Sequence, residues 1–219
     1  MKCGRSAAFT LIEIMLAVSL AGIIAATALA PLVFTVSSLG DAQKEWNKKN
    51  KERAAADRIF RDVRNLVENP SFSSLKIIHK EGLAVQNDDR LLVWTGASAK
   101  EGFPVSLVVY KVVVGTALNG EKTGLYRWII KSMPSKAQDD VKSGDKAPVR
   151  ETPMDLDTET LKAKDGRLIL DGADGLSFSV WNGSEWVREH DGALPQAMRT
   201  EIGEKGKNFS HEEWFPAIQ

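Results

Sequence analysis

The first 39 residues constrain this chain more than any other part of its sequence. A short leader containing Lys2 and Arg5 is followed by an apolar run from Phe9 to about Leu39, whose single ionisable side chain is Glu13. A run of this length can cross a bilayer as a helix. A carboxylate in such a helix costs about 2.5 kcal/mol or more at mid-bilayer, so Glu13 is expected to have a function and a partner. We therefore predict a leader over 1–8 and a membrane-spanning helix over 9–39.

A conventional secretory signal is the alternative interpretation of this segment. Lys2 and Arg5 could form its basic region, and Ala26-Thr27-Ala28 resembles its cleavage site. However, the apolar core of such a signal is shorter than this run, and it has no use for Glu13. Cys3 does not indicate a lipoprotein, because no apolar stretch precedes it.

The order Phe9-Thr10-Leu11-Ile12-Glu13 resembles the signal of type IV prepilins and type II secretion pseudopilins. The resemblance implies that a prepilin peptidase cleaves between Ala8 and Phe9 and methylates the new amine of Phe9. It departs from the family at Ala8, where glycine is usual. Glu13 would then pair with the Phe9 amine during filament assembly. The family commonly has a proline near the position of Pro31.

Charge and cysteine content bear on two properties of the cleaved chain. Removing Lys2 and Arg5 leaves 27 Lys and Arg beside 29 Asp and Glu, a balance that gives no case for nucleic-acid binding. Cys3 is the single cysteine, so the cleaved chain cannot form an internal disulfide. Some 180 residues after the anchor are sufficient for one domain with a hydrophobic core.

The helix is predicted to continue past the membrane as an amphipathic extension over 40–69. Pro31 removes a backbone donor and should kink it near residues 27–31. Apolar residues recur at steps of three and four from Ala56 to Val67, which predicts a face that docks on a sheet. Residues 41–53 are polar all round, and Asn69-Pro70 should end the helix.

Residues 70–219 are predicted to form a β-rich head domain, which makes the fold α+β with the helix packed on antiparallel sheets. The pattern predicts strands at 75–79, 91–94, 105–114, 125–130, 168–170, 176–181, 186–187 and 197–202. Asn182-Gly183 predicts a hairpin turn. Residues 133–153 are predicted to be a flexible surface loop, and the chain after Ile202 a polar tail.

Three further segments resemble the J-type minor pseudopilins. They are residues 60–66, the pair 109–112 and 124–127, and the C-terminal pattern of 176–178, Trp181 to Trp186, and 194–199. The resemblance implies a low-abundance subunit at the tip of a periplasmic pseudopilus that assists type II secretion. Its partners would be the prepilin peptidase, the I-type and K-type subunits and the major pseudopilin. It would reside in the bacterial inner membrane with one span and a periplasmic head.

Two other functions remain as alternatives. One is a minor pilin of a type IV pilus, acting in adhesion, motility or DNA uptake. The other is a membrane-tethered module that binds a carbohydrate or peptide through the exposed members of a tryptophan set: Trp94, Trp128, Trp181, Trp186 and Trp214.

No catalytic, cofactor or metal site is predicted. His79, His190 and His211 lie far apart in the sequence, without the spacing of a metal site. The aspartates at 88–89 and 171–174 lack the spacing of a calcium loop, and turns explain them better. We therefore expect a structural subunit and not an enzyme.

Overall fold

The computed structural model describes residues 10–68, 73–80, 87–96, 105–115, 120–130, 154 and 156–216. The fold is α+β, as predicted: one long N-terminal helix is followed by antiparallel sheets. By internal contacts the chain divides into two units, Met1–Asn50 and Lys51–Gln219. The loop predicted at 133–153 lies outside the described residues.

The described elements are one α-helix and ten strands. They are α1 (Leu11–Arg64), β1 (Leu75–Ile78), β2 (Arg90–Thr95), β3 (Ser106–Val113), β4 (Gly124–Ile130), β5 (Arg167–Asp171), β6 (Gly175–Trp181), β7 (Trp186–Val187), β8 (His190–Gly192), β9 (Ala197–Glu204) and β10 (Lys207–Trp214). Two short 3₁₀ turns, Thr158–Thr160 and Ala163–Asp165, precede β5.

In the described part of the chain, the strands form two antiparallel sheets. The first has the order β5-β4-β3-β2-β1-β8, and the second has the order β10-β9-β6-β7. The Asn182-Gly183 turn is confirmed. The Asn182 carboxamide accepts hydrogen bonds from the backbone of Ser184 and Glu185, and the hairpin pairs Trp181 with Trp186.

The main core of the second unit lies between α1 and the two sheets. The apolar stripe predicted on the helix is buried from Ala55 onward, with Ile59 and Phe60 fully enclosed. Inward-facing residues of both sheets complete this core: Leu75, Ile77, Leu91, Val93, Val108, Val112, Leu125, Leu170, Leu176, Phe178, Val180, Met198 and Ile202. Because burial of apolar area is the main stabilising contribution, this stripe holds α1 against the sheets.

A smaller core covers the other face of the first sheet. Met154 and Ala163 pack there against residues of β2, β3 and β4. The Trp128 indole donates to the Lys162 carbonyl at 2.9 Å. At Gly166 a Cβ would lie 2.6 Å from the Trp128 ring, so the close approach of this segment requires glycine. The segment after residue 153 is therefore part of the packed domain.

The helix ends earlier than the sequence predicted, at Arg64 and not at residue 69. The Arg61 carbonyl accepts from both the backbone amide and the carboxamide of Asn65, at 3.2 and 2.7 Å. The chain then becomes extended, and the Val67 amide donates to the Trp94 carbonyl at 2.9 Å. Backbone pairing with the end of β2 thus replaces the last predicted helical turn.

The prediction of a polar tail after Ile202 is wrong, because β10 lies there. Lys205 and Gly206 both have positive φ, 50° and 77°, as a two-residue hairpin with strand-compatible twist requires. His211 contacts the Phe60 ring with centroids 5.1 Å apart, and Glu213 pairs with Arg64 at 3.0 Å. Phe215, just after the strand, lies against Phe60 as well. The segment therefore covers α1, using few apolar residues.

A buried polar network joins α1 to the first sheet. Asp62 is fully buried, and its Oδ2 accepts from the Tyr110 hydroxyl at 2.6 Å and from Arg127 Nε at 2.7 Å. Burial, followed by the negative charge of Asp62, raises the pKa of the Tyr110 phenol well above its usual value. The phenol therefore remains a donor. Because Asp62 must reach both Tyr110 of β3 and Arg127 of β4, the network fixes which part of the helix lies against these two strands.

Replacing Asp62 tests how much this network contributes to the free energy of unfolding. We expect Asp62→Ala to lower the free energy of unfolding by about 3–5 kcal/mol, because it leaves the buried Arg127 cation without its carboxylate. Asp57→Ala, half-buried on the same helix, should change it by less than about 1 kcal/mol. Urea unfolding of the detergent-solubilised chain, followed by circular dichroism, measures both. Equal losses in the two variants would contradict the assignment.

A second ionic cluster anchors the segment that carries the 3₁₀ turns. Glu159 accepts from Lys80 at 2.6 Å, from Arg90 at 2.7 Å and from Lys111 at 3.3 Å. Arg90, itself buried, also donates to the Thr158 hydroxyl. The hydrogen bonds from Lys80 and Arg90 lower the pKa of Glu159 to about 2.

This shift predicts a pH dependence of stability. Because the pKa falls on folding from its ordinary 4.5 to about 2, the contribution of Glu159 is complete above the upper value and is lost as the pH falls through the lower one. The difference in urea midpoint between the native chain and Glu159→Gln should therefore narrow as the pH is lowered across this window. Glu185→Gln, at an exposed glutamate, is the matched control and should show no such trend. A constant difference for Glu159→Gln would contradict the prediction.

Candidate functional site

The first thirty helical residues of α1 expose apolar side chains on every side. Their large apolar members are between 52% and 80% exposed. This helix is the one element of the described chain that is long and apolar enough to span a membrane. At 1.5 Å per residue, residues 11–39 extend over about 43 Å, more than the hydrocarbon thickness of a bilayer. Such a surface is stable only in lipid or against other apolar protein surfaces.

Glu13 lies in the first turn of α1, exposed. Its Oε2 is 3.4 Å from the Thr10 amide and 3.5 Å from the Thr10 hydroxyl. Thr10 precedes the helix, and its carbonyl accepts from the Ile14 amide at 3.3 Å. This is the capping-box arrangement, in which the third helical residue reaches back to the residue before the helix. Its two side-chain contacts are long, so they hold the carboxylate only weakly.

The other predicted site residues are placed as follows. Ala8 and Phe9 lie outside the described residues. Pro31 lies within α1, and its carbonyl accepts from the Thr35 hydroxyl at 2.8 Å. The structure therefore brings Glu13 close to the N-terminal end of the helix, where the sequence placed it. The kink at Pro31 stays a prediction.

The polar segment of α1 over residues 41–53 is mostly exposed. Asp41 and Lys44 form an exposed pair at 3.6 Å, of the kind that contributes little to stability. Trp46 is 67% exposed among these charged residues. An exposed tryptophan on a polar helix is a candidate anchor for a protein contact, since tryptophan is enriched at the energetic centres of interfaces.

Three of the tryptophans cluster on the outer face of the second sheet. The register places Trp186 opposite Trp181, and Trp181 and Trp214 on either side of Ala197. The ring centroids are 5.7 to 6.4 Å apart, and the ring planes are inclined by 51° to 76°. The Arg199 guanidinium lies 4.3 Å from the Trp186 centroid. The rings of these three tryptophans thus pack on one another and on Arg199, which favours the packing interpretation for them.

The histidines have separate structural partners. His79 Nδ1 lies 2.5 Å from the buried Asp89 carboxylate, whose other oxygen accepts from the Phe178 amide. His190 Nε2 lies 2.8 Å from the Ala193 carbonyl, and His211 contacts Phe60. Within the described ranges, no three or more His, Cys, Asp or Glu side chains are grouped so that they could hold a metal ion.

Sequence reasoning missed the burial of several ionic residues, among them Asp62, Arg90 and Arg127. Asp62 carried a detectable signal, because it lies three residues after Ile59 and one before Val63, inside the stripe that faces the core. An ionisable residue in such a stripe requires a buried partner. Arg90 and Arg127 carried none, since an arginine at a strand position is ordinarily exposed.

Comparison with known proteins bears on the N-terminal segment. The family model of the prokaryotic N-terminal methylation motif matches residues 3–29. No curated protein and no solved structure matches the chain. The motif and the apolar helix fit a membrane-anchored protein with a single span. The chain thus carries a type IV prepilin-like signal at the start of a pilin-like α+β fold.

Proposed function

We propose that this chain is a minor pseudopilin, a structural subunit of the tip of a type II secretion pseudopilus. The main support for this proposal is that the methylation motif coincides with a helix whose apolar surface is exposed on every side. Such a helix requires lipid before assembly and neighbouring helices after it. The second unit then acts as the head that the anchor carries.

The J-type assignment is supported by where its characteristic segments meet. Residues 60–66, 109–112 and 124–127 supply Asp62, Tyr110 and Arg127, which form a buried network that joins helix and sheet. Residues 181–186 and 194–199 meet in the tryptophan cluster, where Arg199 lies over Trp186. The segments of the resemblance thus correspond to two packed features of the domain.

The proposal assigns a role to each predicted site residue. Prepilin peptidase cleaves between Ala8 and Phe9 and methylates the Phe9 amine, Glu13 pairs with that amine, and Pro31 kinks the helix. The I-type and K-type subunits and the major pseudopilin pack beside α1. The protein resides in the bacterial inner membrane with its head in the periplasm and then enters the pseudopilus. It acts by assembly and not by catalysis.

Cleavage is the first test of this function. We expect the membrane-extracted protein to begin at Phe9 and to carry one methyl group, as measured by its intact mass. Deleting the prepilin peptidase should leave residues 1–8 attached. A mature chain that begins near residue 29, after Ala26-Thr27-Ala28, would instead show a conventional secretory signal and overturn the proposal.

Glu13 provides the second test. A charge in a low-dielectric surrounding is strongly stabilised by an opposite charge and strongly disfavoured without one. Glu13→Ala should therefore be cleaved normally but should co-purify with other pilin-like proteins at a level reduced about tenfold, the effect of 1.4 kcal/mol. Thr10→Ala, which removes the hydroxyl near Glu13 but keeps the carboxylate, is the control and should assemble normally. Equal losses in both variants would assign Glu13 to helix capping alone.

A further inference from the structure

A small pocket in the second unit is lined by arginine side chains. Its volume is about 210 Å³, and it lies between α1 and the edge of the first sheet. Its lining residues are Ala54, Ala55 and Arg58 of α1, Arg127 of β4, and Arg167 and Ile169 of β5. Three arginines therefore line one pocket, and its other lining residues are apolar.

The strand register creates an electrostatic conflict at this pocket. Arg127 and Arg167 are directly opposite each other in the β4–β5 pair. Like charges in this relation are destabilising, because the Cβ atoms of such a pair are only about 5 Å apart. Asp62 offsets one of the two charges, since its Oδ2 accepts from Arg127 Nε at 2.7 Å. No described carboxylate offsets the positive charge of Arg167.

Arg58 and Arg167 have no ion-pair partner among the described residues. Arg167 is exposed, and Arg58 is half-buried. The hydrogen bond at Arg58 involves its backbone carbonyl, which accepts from the Tyr110 hydroxyl at 3.3 Å. Both guanidinium groups therefore retain their donors.

The local backbone also gives the pocket its apolar wall. The register between β4 and β5 shifts at this point, so that Leu125 is opposite Leu170 while Tyr126 is opposite Leu168. Ile169 is the extra residue of this bulge. Bulges re-aim side chains at the edges of sheets, and here the extra residue lines the pocket opposite Ala54 and Ala55.

We propose that this pocket binds a carboxylate group. Arginine forks match the two oxygens of a carboxylate, and such charge-assisted pairs are the stronger hydrogen bonds. The apolar walls suit the methylene stem of an aspartate or glutamate side chain better than a free phosphate, which has no apolar part. In the assembled state an acidic side chain of a neighbouring protein subunit occupies the pocket. This last step rests on the proposed function.

Arginine modification tests the pocket without disturbing the fold. The full-length protein in detergent is treated with phenylglyoxal, and modification of each arginine is read by peptide mass spectrometry. The probes are glutarate, inorganic phosphate and sodium chloride at equal ionic strength. Glutarate at twice its dissociation constant should slow modification of Arg58 and Arg167 about threefold. The modification rate falls by a factor of one plus the ratio of the ligand concentration to Kd. Arg188, exposed elsewhere in the domain, should not be protected.

Variants show whether the arginines act together. In Arg167→Gln, protection of Arg58 by glutarate should fall toward the chloride level, whereas Arg188→Gln should leave it unchanged. Stronger protection by phosphate than by glutarate would replace the carboxylate with a phosphate-bearing ligand and overturn the proposal. The absence of protection by either anion would overturn the site itself.

A separate measurement tests the source of the carboxylate. Arg167→Gln should co-purify less with pilin-like proteins than Arg188→Gln does. Unchanged co-purification of Arg167→Gln, together with protection of the native chain by glutarate, would overturn the neighbouring subunit as the source of the carboxylate but would leave the pocket as a carboxylate site. Cleavage at a position other than Phe9 would instead overturn the proposed function, whatever the outcome of the protection experiment.

Discussion

The carboxylate of Asp62 determines how the helix of this protein is joined to its sheets. An apolar stripe alone would allow α1 to slide or rotate on the sheet, because the hydrophobic effect is not directional. Asp62 removes that freedom, since its Oδ2 must meet both the Tyr110 hydroxyl and Arg127 Nε. A buried ion pair of this kind contributes little net stability, but breaking it is expensive. The network therefore acts chiefly as a register for the helix, and it also brings Arg127 to the pocket that contains Arg167.

One helix thus serves two environments. Up to Leu39 its apolar side chains are exposed on every side, and from Ala55 onward a single stripe is buried. The polar segment between them has no apolar stripe of its own and must gain order from its covalent continuity with the packed turns or from neighbouring helices. The exposed Trp46 lies in this segment.

The sequence predicted the elements whose own pattern reveals their burial. The stripe from Ala56 and the apolar positions Leu176, Phe178 and Val180 of β6 each follow from one periodicity and are buried, whereas the uninterrupted apolar run predicted a helix by its length. β10 escaped prediction because Phe209 is its single apolar side chain on the inner face, and the rest of its contact with α1 is made by His211 and Glu213. The helix end was misplaced because the competing interaction, pairing with β2, comes from residues about thirty positions later in the chain. Local patterns carry no information about such partners.

The residues of the candidate site also divide into those that a local sequence pattern reveals and those that it does not. Glu13 could be recognised from sequence, because a lone carboxylate in a membrane-length apolar helix requires a partner. In the isolated chain that partner is Thr10, with contacts of 3.4 and 3.5 Å. Both distances are at the limit of a hydrogen bond, so Glu13 loses little free energy when it leaves Thr10. An ion pair between its carboxylate and an ammonium group in a low-dielectric surrounding is much stronger. Under the proposed function, one carboxylate would first cap the helix through Thr10 and then pair with the Phe9 amine after cleavage.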